Sequence, residues 1–65
     1  MNAMLNNAVI ITKATGSFLI GSSGRTLFVG STPGEAFRSA IIRKLKLVNN
    51  TSQKGIEILR KVNAA

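Results

Sequence analysis

Three short β-branched and aromatic stretches, residues 8–12, 17–20 and 26–29, each followed by glycine or a glycine-bearing turn, do most to limit what this chain can fold into. They predict a three-stranded antiparallel meander. If Ser23 and Gly24 form a two-residue hairpin turn, Ile20 faces Leu27 and Phe18 faces Val29 on one side of the sheet, while Leu19 and Phe28 point to the other. Both faces then carry large apolar groups. Such a sheet must be covered twice, once by its own helices and once by something else, for which a second copy of the chain is the simplest candidate.

The stretch 31–35 reads as a helix start. Thr32 is the N-cap, Pro33 takes the first helical position, and Glu35 completes a capping box. From 35 to 48, helical geometry of ~100° per residue gathers Ala40, Phe37, Val48, Ile41 and Leu45 into one stripe, with Glu35, Ser39, Arg43 and Lys46 opposite. Arg38 and Lys44 flank the stripe, and Ile42 and Leu47 lie off it. Asn49 and Asn50 stop this helix, and Thr51 or Ser52 caps a second one running to about residue 62. Gly55, Ile56, Ile58, Leu59 and Val62 form its apolar side; Lys54, Glu57, Arg60 and Lys61 form the other, with Glu57 and Lys61 spaced as an i,i+4 pair. Gly55 costs this helix about 1 kcal/mol relative to alanine. The expected fold is α+β, a three-stranded antiparallel meander followed by two helices (βββαα), dimeric.

Size supports the dimer. A chain of 65 residues makes one domain, residues 1–65 with frayed ends at about 1–6 and 63–65, and buries only about 60% of the surface its unfolded form exposes. It has no cysteine and no histidine, so neither disulfides nor a zinc site can brace it, and oligomerisation is the remaining device. At 45% hydrophobic residues it is too apolar for a disordered tail. No run approaches the ~18–20 apolar residues of a membrane span, and the first seven residues lack a secretory signal pattern, so the expected location is intracellular and cytoplasmic. The triplets beginning at Asn49 and Asn50 read as loop and capping residues rather than glycosylation sites.

With no His, Cys or Asp, and two Glu that each have a structural use in a helix, the usual general bases, thiol nucleophiles and carboxylate pairs are missing. The chain is read as non-catalytic, with no metal, no cofactor and no small-molecule substrate. Residues 30–34 sit between a strand and a helix, where backbone amides can cradle phosphate, but no lysine follows Gly34 and Glu35 repels an anion; the segment reads as a capped turn.

What remains is charge. Nine Lys and Arg against two Glu give a formal +7, and seven of the nine bases fall between Arg38 and Lys61. A field of this kind concentrates polyanions. The expected function is binding of a nucleic-acid backbone, DNA or RNA, through Arg38, Arg43, Lys44, Lys46, Lys54, Arg60 and Lys61 on the helices and Arg25 at the hairpin tip, with Leu19, Phe28, Ile42 and Leu47 forming a homodimer interface. The alternative is a small interaction module or inhibitor that docks on an acidic protein surface, the kind of chain that compact genomes, viral ones included, favour. A helix-turn-helix fits poorly, because the linker 49–52 lacks the usual turn glycine. An anionic membrane is a third polyanion, but on this reading the sheet needs the apolar faces of both helices.

Overall fold

Six elements follow one another in the order βββαβα: β1 (Asn7–Lys13), β2 (Gly16–Gly21), β3 (Thr26–Gly30), α1 (Pro33–Ile42), β4 (Lys46–Leu47) and α2 (Gln53–Ala64). They come from a computed structural model that describes residues 6–64. Of the expected frayed ends, residues 1–5 and 65 lie outside the described residues. Asn6 accepts the Lys46 amide at 2.9 Å, and residues 63 and 64 belong to α2.

The class is α+β, but the sheet is not a three-stranded antiparallel one. It has four strands in the order β3-β2-β1-β4 and is mixed. β1–β2 and β2–β3 are antiparallel, while β4 lies parallel to β1 with Asn7 opposite Lys46 and Ala8 opposite Leu47. Helix α1 is therefore a crossover from one sheet edge to the other.

The β2–β3 turn also departs from the expected two-residue form. Gly24 donates to the Gly21 carbonyl and Gly21 to the Arg25 carbonyl, both at 2.9 Å, and Gly24 has φ 87°. This is a three-residue hairpin loop with glycine in the left-handed position. Ile20 consequently pairs with Thr26, not with Leu27. A bulge at Leu27 then takes up the extra residue, so Leu19 faces Phe28 and Phe18 faces Val29 as expected.

Each face of the sheet has its own helix. On one, Ala8 and Leu19 pack with Ala36 and Ala40 of α1, with Ile10, Leu27, Phe28, Leu45 and Leu47 around them. On the other, Val9 and Ile20 pack with Ile58 of α2, bordered by Ile11, Phe18, Val48, Leu59 and Val62. The reason given above for a second copy, two helices sharing one face and leaving the other bare, does not hold. Leu19, placed above in a dimer interface, is fully buried beneath α1, at a gain of about 2 kcal/mol to this chain's own core.

Helix α1 stops six residues before its expected end. The Leu45 amide donates to the Ala40 carbonyl at 2.9 Å and the Lys44 amide to the Ile41 carbonyl at 3.0 Å, with Lys44 at φ 58°. That is a Schellman cap with lysine where glycine is usual, and Leu45 folds back onto the Ala40 cluster. Lys46, Leu47 and Val48 are thereby released from the helix, the first two as β4. The capping box forms at the other end: Glu35 Oε1 accepts the Ser31 and Thr32 amides at 2.6 and 3.1 Å, and Thr32 Oγ1 accepts the Glu35 amide at 3.3 Å.

Helix α2 is capped by Ser52, whose Oγ accepts the Gly55 amide at 3.1 Å. Its glycine is a requirement rather than a flaw, because a β-carbon on residue 55 would overlap the Asn49 carbonyl. Asn50 ties the preceding turn to β1 by donating to the Ile10 carbonyl at 3.1 Å.

Candidate nucleic-acid interface

Strand register decides which bases meet. Ala8 pairs with Gly21 and Asn7 with Lys46, while Gly21 bonds Arg25 across the hairpin. Lys46 and Arg25 therefore share one end of the sheet, the end that carries the β2–β3 turn. Both helices run toward it. Arg43, at the C-terminus of α1, donates from Nη2 to the Leu27 carbonyl at 3.1 Å and from Nε to Ser39 Oγ at 3.2 Å. Lys44 follows directly. Lys61, in the last turn of α2, donates from Nζ to the Ser22 carbonyl at 3.0 Å, and a β-carbon on Gly24 would come within 2.8 Å of its Cβ.

Five of the eight predicted bases, Arg25, Arg43, Lys44, Lys46 and Lys61, are thus drawn to the hairpin end, and Arg60 precedes Lys61 in the same turn of α2. All six are exposed. The remaining two are not part of this group. Arg38 lies about 7 Å back along α1, and Lys54 sits in the first turn of α2, about 10 Å along that helix from Lys61. Both acids also lie away from the helix C-termini, Glu35 in the first turn of α1 and Glu57 ahead of Arg60 on α2. Part of this basic clustering is structural: two helix C-termini gather here, and bases beside them offset their partial negative charge.

The four residues assigned above to a dimer interface separate as well. Leu19 is buried, Phe28 and Leu47 are half-buried against α1, and Ile42 stands in solvent. Phe37 and Ile41, assigned to the core stripe of α1, are also exposed, because the close approach of helix to sheet is made by Ala36 and Ala40. Ile56 of α2 is also exposed, while Ile58, Leu59 and Val62 face the sheet and Gly55 is buried against the Asn49–Asn50 turn.

Sequence reasoning missed Lys13, whose ammonium sits 5.5 Å from the centre of the Phe18 ring in a cation–π contact at the far end of β1. Between α1 and β3 lies an open hollow of about 260 Å³ lined by Phe28, Glu35, Arg38, Ser39 and Ile42. That volume falls below the usual size of a small-molecule pocket. Among the described residues no group of three His, Cys, Asp or Glu stands close enough to hold a metal ion, and no helix is long and apolar enough to cross a membrane. Comparison with protein-family models, curated proteins and solved structures returns no match.

Proposed function

We propose that this protein binds a nucleic-acid backbone with the hairpin end of its sheet. The observation that carries the reading is the convergence of bases from four separate elements, the β2–β3 turn, the end of α1, the start of β4 and the end of α2, on one end of the fold. Bases held on different elements at fixed register present charge over a surface rather than along a single helix. That suits contacts to several phosphates at once. The lack of His, Cys and Asp favours a binding role over catalysis.

Binding through phosphates has a measurable signature. Each neutralised phosphate releases counterions, so five contacts on duplex DNA give a slope of log affinity against log salt of about −4 to −5. The test is fluorescence anisotropy with labelled random duplex DNA, single-stranded DNA and RNA over a salt series. A steep negative slope that flattens when Arg25, Lys46 and Lys61 are replaced by Glu is the expected result. Absence of binding at low salt overturns the reading in favour of an acidic protein surface.

A further inference from the structure

Helix α1 turns its small residues inward and its large ones outward. Ala36 and Ala40 are buried on Ala8 and Leu19, whereas Phe37, Ile41 and Ile42 are 52%, 59% and 73% exposed. At ~100° per residue these three span the solvent-facing arc of the helix with Arg38 between them. Three large apolar groups within two turns are more than the scattered exposure normal on a protein surface.

The surrounding charge identifies what covers them. Arg38 lies within the arc and Lys44 stands exposed just past its end, while Arg43 is turned back to the Leu27 carbonyl on the sheet side. The only acid of α1 is Glu35, and its Oε1 is already taken by the Ser31 and Thr32 amides. A second copy would set +7 against +7, and three side chains on a ten-residue helix provide much less than the roughly 800 Å² per partner that a stable interface buries. An anionic bilayer surface reverses the sign of that argument. The same bases are attracted to its headgroups, the apolar side chains enter the headgroup–acyl boundary, and a long arginine between them keeps its guanidinium at the headgroup level.

We infer that this protein docks on anionic lipid surfaces through the outer face of α1, with Phe37, Ile41 and Ile42 entering the interface and Arg38 and Lys44 meeting the lipid phosphates. The inference rests on the apolar arc, which the nucleic-acid reading does not use, and of the hairpin-end bases it shares only Lys44. It also reverses the expectation that the sheet occupies the bulky residues of α1; the alanines make that contact instead.

The test uses the full chain and sedimentation with vesicles of phosphatidylcholine alone or mixed with phosphatidylglycerol. The wild-type protein is expected to pellet only with the anionic vesicles. The double variant Ile41→Ser, Ile42→Ser is expected to lose about tenfold or more in vesicle affinity, with its circular dichroism and DNA affinity unchanged. The chain has no Trp or Tyr, so Ile42→Trp supplies a clean reporter whose emission shifts to the blue on anionic vesicles. Failure of the wild type to bind anionic vesicles overturns the proposal, as does equal binding by the serine variant, which would leave charge alone as the cause. A dimer in light scattering that the serine variant dissolves would assign the face to a second copy and likewise overturn it.

Discussion

The carbonyl of Asn49 stands where a β-carbon on residue 55 would have to be. Ser52 Oγ donates to that same carbonyl at 2.5 Å, so the turn cannot move aside without giving up the cap of α2. At an open helical position Gly→Ala stabilises by about 1 kcal/mol; here the sign is reversed. Gly55→Ala is expected to destabilise the fold by about 2–3 kcal/mol, read as a lower urea midpoint followed by circular dichroism.

Lys44 carries the opposite expectation. Its β-carbon is held in the left-handed region at φ 58°, a conformation that costs a non-glycine residue roughly 1–2 kcal/mol. Lys44→Gly removes that strain and returns part of the gain to the more flexible unfolded chain. A net stabilisation of about 1 kcal/mol is expected, while Lys44→Ala, which keeps the strain, leaves the urea midpoint near that of the wild type.

Ala40 sits against Ala8 and Leu19 with 1% of its surface exposed. Ala40→Leu must push α1 off the sheet and is expected to cost about 1–3 kcal/mol. Ile42→Ser, two residues on, is expected to stay within about 0.5 kcal/mol of the wild type. Thermal melts of the pair check which side of α1 the core uses.

A matched pair of variants separates the hairpin-end bases from a base held away from them. Lys46→Glu is expected to weaken duplex DNA binding and to lower the salt slope by about 1–2, whereas Lys54→Glu, in the first turn of α2 away from the hairpin end, changes both much less. Anisotropy titrations at two salt concentrations decide it. Arg43→Glu is a poorer probe, because it also removes the bonds to the Leu27 carbonyl and Ser39.

The first three strands and both helix starts were legible in the sequence because each has a local cause: β-branched runs cut by glycine, the Thr32–Glu35 capping box, and a hydroxyl ahead of α2. The end of α1 was not. Its stop is made by a lysine in a glycine's conformation, so no residue type announces it, and Leu45 and Val48 continue the helical spacing that led the expected helix to residue 48. Once β4 is missed, the crossover is missed with it, and both helices are assigned to one face. The basic residues themselves were plain from composition. Their gathering at one end was hidden, since it depends on the Asn7–Lys46 pairing between β1 and β4.

That pairing and the placement of α2 also order the chain's assembly in time. The two hairpins join neighbours in sequence and close quickly, whereas β4 reaches β1 only after the whole of α1 has crossed the sheet. Helix α2 is synthesised after all four strands, so Val9, Phe18 and Ile20 leave the ribosome with no cover on their side. During translation this uncovered apolar face is open to aggregation, and the interval before Gln53–Ala64 emerges is when a chaperone has most to offer it.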